Sequence, residues 1–216
     1  MNPSDFTFRA SGRLVPTMER SQAFVPNPLP PPALDLARLA TPLANASLAL
    51  GELNGIGRSV TNPQLLIAPF SRAEAVASSK IEGTFTSTPE LLKFERAPDA
   101  PGASRDTREV NNYNRALRQG LERIKDLPLS KRLLNELHAQ LLHEVAANRG
   151  AMFNPGELRR DQNWIGARTI QAARYVPPPP AEVLDLMDSF EKFANRAPED
   201  LPHLIKIALM HCLFGT

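Results

Sequence analysis

The stretch RDTREVNNYNRALRQGLERI, from Arg105 to Ile124, indicates the fold class. Its apolar residues recur at steps of three and four, which is the spacing of one face of an α-helix. Charged and amide side chains fill most positions between them, so the pattern favours an amphipathic helix with one buried face. The residues expected on that inner face are Val110, Tyr113, Leu117, Leu121 and Ile124.

The same periodicity extends through most of the chain on both sides of this stretch, and strand signals are few. A small hairpin is expected in NWIGARTIQAARYV, residues 163–176, among glycine and proline turns. The predicted fold class is therefore all-α, a helical bundle with a small β-hairpin. The other helices are expected at about residues 33–55, 62–83, 127–145 and 180–195, and from residue 201 onward.

Two of these helices carry narrow apolar stripes, which we expect to be their buried faces. Pro42 predicts a kink in the first helix, and Pro69 resets the register of the second. A polar stripe at four-residue spacing accompanies the apolar one on the second helix. The apolar stripes are Leu36, Leu39, Leu43, Ala46 and Leu50, then Phe70, Ala73, Ala77 and Ile81, and the polar stripe is Glu74, Ser78 and Glu82.

Composition excludes several classes of protein. The 216 residues contain 25 Lys and Arg against 23 Asp and Glu, and 42% are hydrophobic, as in ordinary globular proteins. No cluster of basic residues suggests nucleic-acid binding, and no apolar run approaches the roughly 20 residues of a membrane helix. The first residues lack the apolar core of a signal peptide. The single cysteine, Cys212, is expected to be a buried thiol, and a cytoplasmic location is expected.

Prolines cluster in two places, VPNPLPPP at residues 25–32 and YVPPPP at residues 175–180. Residues 1–32 have no helical period and are expected to form an extended, proline-rich arm laid over another part of the protein. The second cluster leads directly into a helix, which favours a rigid connector. Docking to an SH3 or WW groove is the alternative.

No complete catalytic or metal site can be assembled from the residues alone. His138 and His143 do not share a helix face, and His203 and His211 are about two turns apart, so neither pair has the spacing that zinc requires. No nucleophile elbow and no glycine-rich phosphate loop is present. We therefore expect no metal site in this chain.

The segment SSKIEG, residues 78–83, places an acid where a helix disfavours it. Glu82 lies in the last turn, where a carboxylate meets the negative end of the helix dipole at a cost of a few tenths of a kcal/mol, roughly. Gly83 follows as the expected left-handed residue that ends the helix. Taken alone, this pattern favours an incidental acid at a frayed, solvated helix end.

Together with other segments, SSKIEG resembles the inhibitory signature of Fic proteins: Ser or Thr, three residues, Glu, then Gly or Asn. PGELRRDQNWIG, residues 155–166, and ARYVPPPPAEV, residues 173–183, are similar to the flap hairpin beside the Fic active site. LLNELHAQLL and LPHLIKIALMHCLF look like the helices that flank that region. The resemblance covers nearly the whole chain from about residue 30, in the expected order.

The resemblance implies a protein AMP-transferase, which moves AMP from ATP to a Ser, Thr or Tyr hydroxyl of a target protein with Mg²⁺. In the family the loop HPFx(D/E)GNGRxxR supplies the histidine base, the acidic Mg²⁺ ligand and two arginines. This sequence ends in HCLFGT and does not contain the loop. No residue is therefore assigned a catalytic role, the chain alone is expected to be inactive, and neither ATP nor Mg²⁺ is expected to bind it tightly. Either the full protein is longer, or the reading frame is cut short.

The resemblance also assigns roles to residues that are present. Glu82, with Ser78 and Gly83, would be the inhibitory group that pairs with the second arginine of the catalytic loop. Asn163, Trp164, Ile165 and Gly166 would border the groove for the target peptide, although Trp164 could equally be a packing anchor. The expected organisation is an arm at 1–32, a helical region at 33–125 with the inhibitory helix at about 62–83, and the first part of the Fic core at 126–216 with its flap at about 155–180.

Two alternatives to a self-inhibited enzyme remain open. The chain could be a non-enzymatic, antitoxin-like regulator that inserts Glu82 into the site of a separate Fic subunit, and a homo-oligomer is a further arrangement. An adaptor that uses its proline clusters is the other alternative. Beyond these, the expected partner is a target protein with a hydroxyl acceptor, and neither nucleic acid nor a membrane is expected.

Overall fold

The computed structural model describes residues 11–31, 34–98, 102, 104–145, 154–196 and 201–214. These residues form seven α-helices and one two-stranded antiparallel sheet, which confirms the all-α fold class with a small hairpin. The strands are β1 (Gly12–Pro16) and β2 (Gln22–Pro26); the helices are α1 (Leu36–Ser59), α2 (Gln64–Ile81), α3 (Thr88–Arg96), α4 (Arg105–Arg123), α5 (Lys131–Leu141), α6 (Pro180–Asn195) and α7 (His203–Phe214).

The chain divides into two compact units. One contains residues 1–45 and 158–216, and the other contains residues 46–157.

In the unit 46–157, three helices enclose a small apolar core. Ala75 of α2, Leu91 of α3 and Val110 of α4 are fully buried against one another, and Val76 and Tyr113 pack against this cluster. A cluster of this size buries few methylene groups, so polar contacts between the helices also determine how these helices pack.

Helix beginnings in this unit follow the local sequence. Ser87 and Glu90 form a capping box at the start of α3, and these hydrogen bonds from Ser87 lower the pKa of the Glu90 carboxyl. Ser104 accepts a hydrogen bond from the Thr107 N–H at the start of α4. Ser130 caps α5 by accepting from the Leu133 N–H. Each cap satisfies backbone donors that have no partner inside their helix.

Helix α4 forms where the sequence predicts it, but its inward face is different. Val110 is buried and Tyr113 is half-buried, as expected, whereas Leu117, Leu121 and Ile124 are exposed. The buried positions are instead taken by small and amide residues. They are Thr107, Asn111, Asn112, Asn114, Ala116 and Gly120.

The reason is that α5 approaches α4 closely on this side. A Cβ at Gly120 would lie 3.1 Å from Leu137 Cδ1, so a larger residue there would require Leu137 to shift. The Asn112 amide donates to the carbonyls of Leu141 and His143, which lie at the C-terminal end of α5. Buried asparagines with partners thus replace the expected leucines.

The apolar stripes predicted for α1 and α2 were also wrong as buried faces. No residue of α1 is buried, and Phe70, Ala73, Ala77 and Ile81 of α2 are all exposed. The contact of α2 with the core is made by Ala75 and Val76, between the predicted positions. Periodicity identified these helices but did not identify which side packs.

The expected extended arm contains an antiparallel hairpin instead of a simple strap. Strands β1 and β2 pair in the register Gly12↔Pro26 through Pro16↔Gln22, with Arg20 in a left-handed conformation in the turn. Residues 1–10 and 32 of the expected arm lie outside the described residues. The expectation that this segment lies over another part of the protein holds, because Ala23 and Phe24 join a core with Ile170, Ala173 and Val176.

At the other end of the same unit, α6 and α7 pack through aromatic rings. The Phe190 and Phe214 centroids are 5.7 Å apart. Of the residues in α7, Ile205 is buried, and Cys212 is exposed as a free thiol. The prediction of a buried thiol was therefore wrong, because the apolar run of α7 is covered on one narrow side only.

Candidate functional site

The C-terminal tip of α2 is a tightly closed turn. The Thr84 N–H donates to the Ser79 carbonyl at 2.9 Å and the Gly83 N–H to the Lys80 carbonyl at 3.1 Å, which is the hydrogen-bond pair of a Schellman motif. Gly83 has φ +81°, the left-handed conformation predicted for it. The helix therefore ends sharply at Glu82.

Glu82 lies exposed at this tip. Across the described ranges, no hydrogen bond or ion pair joins its carboxylate to another residue. Within the described part of the chain, no cation therefore offsets the unfavourable helix dipole at this carboxylate.

The chain that follows the tip is fixed to the start of α4. The Phe85 N–H donates to the Asp106 carboxylate at 2.7 Å. The hydroxyls of Thr86 and Thr107 are 2.8 Å apart, and the buried Thr84 donates to Glu109. These contacts hold the direction in which the chain leaves Glu82.

Ser78 does not bond near Glu82. Its hydroxyl donates to Glu74 Oε1 at 2.7 Å, one turn back along α2. The Tyr113 hydroxyl of α4 donates to both oxygens of the same carboxylate, at 3.0 and 3.1 Å. Burial, followed by the bond to Glu74, raises the pKa of Tyr113, so its hydroxyl keeps the proton that it donates.

A second polar contact ties α2 to its neighbours. Arg72 of α2 pairs with Glu95 of α3 at 2.8 Å, with side chains that are 21% and 16% exposed. Asn114 of α4 donates to the other oxygen of Glu95, and Arg118 lies 3.5 Å from it. Sequence analysis missed the roles of Glu74, Arg72 and Glu95, because single charges on a helix carry no signal of their partners.

The flap in the other unit is formed by one bridge and a short 3₁₀ turn at Ile170–Ala172. The Ile165 N–H donates to the Tyr175 carbonyl at 2.8 Å, and the Ile165 carbonyl accepts from Arg174 and Tyr175. The predicted hairpin is therefore present as a single bridge. Since backbone groups alternate in an extended segment, we expect those of Trp164 to face away from this pairing.

Gly166 is required for the flap turn on two counts. Its φ is +88°, and a Cβ there would lie 2.8 Å from the Arg174 Cβ. Beside it, Trp164 is 39% exposed and donates its indole N–H to the Ala167 carbonyl, while Asn163 and Ile165 are exposed. The four residues predicted to border a target groove thus present two exposed apolar side chains and one exposed amide.

The proline run behind the flap requires donors from other residues. Pro177 to Pro180 have carbonyl acceptors and no N–H groups. Arg159 donates to the Pro178 carbonyl and Gln162 to the Pro177 carbonyl. Burial lowers the pKa of the Arg159 guanidinium. Sequence analysis missed both residues, although an excess of acceptors in a proline run is a signal that nearby donors are needed.

The described residues contain neither a metal-ligand cluster nor a membrane-spanning helix. No group of three His, Cys, Asp or Glu side chains there could hold a metal ion. Among the same residues, no helix has the length and hydropathy to span a bilayer.

Family comparison covers most of the chain. Residues 40–122 match the family model described as Fic/DOC family N-terminal, and residues 128–216 match the model described as Fic/DOC family. The first match contains the α2 tip, and the second contains the flap and its proline run. The chain therefore belongs to the Fic/DOC family.

Proposed function

We propose that this chain is the inhibitory and target-binding part of a Fic-type protein AMP-transferase, with Glu82 as the inhibitory carboxylate. In the reaction a target hydroxyl oxygen attacks the α-phosphorus of ATP, the bond from that phosphorus to the bridging oxygen breaks, and pyrophosphate leaves. The hydroxyl proton passes to a base. The family locates that base in the HPFx(D/E)GNGRxxR loop, which residues 1–216 do not contain.

The observation that carries the proposal is the state of Glu82. Its carboxylate is exposed and unpaired in the described part of the chain, at a helix end where the dipole opposes it. A guanidinium would supply a bidentate, charge-assisted pair that outweighs the dipole. An arginine engaged in this way is not free to bind the nucleotide phosphates.

The family places the acidic Mg²⁺ ligand in the same loop, which residues 1–216 do not contain. No step of the proposed reaction is therefore assigned to a residue of this chain through Mg²⁺. Incubation of the purified chain with radiolabelled ATP and target proteins is expected to give no transfer. Protein-bound label that phosphodiesterase removes would contradict this expectation.

The same exposed carboxylate favours a second candidate, a regulator that acts on a separate Fic subunit. The test adds this chain to an active Fic enzyme whose own inhibitory glutamate has been replaced by glycine. Wild-type chain is expected to lower AMP transfer, and Glu82→Gln is expected not to. Glu52→Gln is the matched control, because it removes the same charge from an exposed position on α1.

The outcomes separate the candidates. Inhibition that depends on Glu82 supports both the inhibitory role and its action in trans. Equal inhibition by wild type and Glu82→Gln would show that this carboxylate is not the inhibitory group. For the flap, we propose that the exposed edge at Asn163, Trp164, Ile165 and Gly166 accepts the target backbone by strand addition.

A further inference from the structure

One backbone hydrogen bond joins the N-terminal hairpin to the flap, and the register of β1 and β2 determines which residue donates it. Asn27 donates to the Ser11 carbonyl, so residues 11 and 27 form a hydrogen-bonded pair of the antiparallel ladder. Hydrogen-bonded and non-hydrogen-bonded pairs alternate along the ladder, so Leu14 and Phe24, three pairs further in, are a non-hydrogen-bonded pair. The backbone N–H and carbonyl of Phe24 therefore point away from β1. The Phe24 N–H donates to the Val176 carbonyl at 2.9 Å.

Side chains repeat this connection. Ala23 and Phe24 share a buried cluster with Ile170, Ala173 and Val176, which are residues of the flap turn and its return segment. The Phe24 ring is tilted by 53° to the Tyr175 ring, with centroids 6.5 Å apart. Tyr175 is the residue that bridges to Ile165 at the flap edge.

Gly12 allows Phe24 to occupy this place. A Cβ at Gly12 would lie 2.4 Å from the Phe24 Cζ, closer than any side chain permits, so the ring lies directly over the β1 backbone. A line of contacts therefore leads from Gly12 through Phe24 and Tyr175 to Ile165. Each link is an apolar contact or a backbone bond, and the link between Phe24 and Tyr175 joins residues about 150 positions apart.

Polar contacts around this line add little. The Arg13–Glu182 pair is 3.0 Å long, but the Arg13 side chain is 56% exposed, so water competes for both charges. Gln171 donates to the Glu19 carbonyl at 2.9 Å at the exposed end of the hairpin. The connection depends chiefly on Phe24.

We propose that the β1–β2 hairpin fixes the flap edge, and that Phe24 is a positioning residue which acts on Ile165 through Tyr175 and Val176. The consequence for target recognition rests on the proposed target-binding role of the flap. The fixing itself does not, and it can be measured without any target.

The test uses the full chain, because its only tryptophan, Trp164, reports on the flap. Phe24→Ala is compared with Phe85→Ala, which removes the same side chain from a position that is 61% exposed in the other unit. Hydrogen exchange of the Ile165 and Tyr175 amides and acrylamide quenching of Trp164 are measured well below the melting temperature. Loss of hairpin support should accelerate exchange of both amides by about tenfold or more and raise the quenching constant.

Phe24→Leu provides a second variant if Phe24→Ala unfolds the unit. It keeps apolar volume and loses the ring contact, so it should give intermediate exchange and quenching while the circular dichroism signal stays at the wild-type level. Unchanged amide exchange and quenching in a folded Phe24→Ala or Phe24→Leu protein would overturn the proposal. If exchange accelerates but Trp164→Pro, which removes a backbone N–H that strand addition would use, leaves target capture unchanged, the positioning role stands and the proposed flap function fails.

Discussion

Replacing Gly83 by alanine tests whether the turn that ends α2 depends on a residue in the left-handed conformation. Gly83 has φ +81°, and no atom lies within 4 Å of a Cβ built there. Steric clashes therefore add nothing to the free-energy cost of the substitution, which comes from the backbone conformation alone. For an L residue the left-handed conformation costs roughly 1–2 kcal/mol.

The alternative response is for the turn to open. That would break the bonds from Gly83 to Lys80 and from Thr84 to Ser79, at about 0.5–1.5 kcal/mol each, and it would also expose the buried Thr84. Opening costs at least as much as strain, so the turn should persist in a strained form. The free energy of unfolding of Gly83→Ala should fall by about 1–2 kcal/mol.

Urea unfolding followed by circular dichroism measures this difference. Gly51→Ala is the matched control: this glycine lies inside α1 with no atom within 4 Å of its Cβ position, so alanine there should stabilise by about 0.5–1 kcal/mol. Gly83→Asn should cost less than Gly83→Ala, because asparagine tolerates the left-handed region. If Gly83→Ala is as stable as wild type, the turn does not depend on this conformation and the reasoning fails.

Three further predictions concern other contacts. Leu91→Ala should lower the free energy of unfolding by about 2–5 kcal/mol because Leu91 is fully buried, whereas Leu92→Ala, 41% exposed, should cost under about 1 kcal/mol in the same urea titration. Gly166→Ala should accelerate amide exchange in the flap, because residue 166 has a positive φ and a Cβ there would clash with Arg174. The Gly156 N–H donates to His138 Nδ1, and burial lowers the pKa of His138, so the folded state favours the neutral ring. The contribution of the neutral His138 ring to the free energy of unfolding should be complete above the unfolded pKa of about 6.5 and be lost as pH falls through the lower folded pKa. In His138→Gln, the free energy of unfolding should depend less on pH in this range.

The parts of the fold that sequence predicted correctly are those fixed by local chemistry. Gly83 ends α2, as predicted, because glycine adopts positive φ without strain. Helical periodicity likewise identified α4 from its own residues. Such features need no partner element, so a single stretch of sequence contains the information.

The parts that sequence missed depend on a partner. Leu117 and Leu121 have the spacing of a buried face, yet α5 packs against the side that contains Gly120 and Asn112. The sequence predicts a proline-rich strap where β1 and β2 pair, and the contact of this hairpin with Val176 joins residues about 150 positions apart, which no local pattern shows. Periodicity reports that a face is apolar, and tertiary contacts decide whether it is covered.

The same distinction explains how the candidate inhibitory helix is oriented. Its contact with the apolar core is made by Ala75 and Val76, and hydrophobic contacts are non-directional, so they set the rotation of the helix only coarsely. Hydrogen bonds and ion pairs are directional, so the Tyr113–Glu74 bond and the Arg72–Glu95 pair define the rotation of α2. Because Glu82 lies two turns beyond Glu74, that rotation also sets the side on which its carboxylate emerges. Glu82, whose carboxylate has no partner among the described residues, is thus directed by the polar contacts of its neighbours.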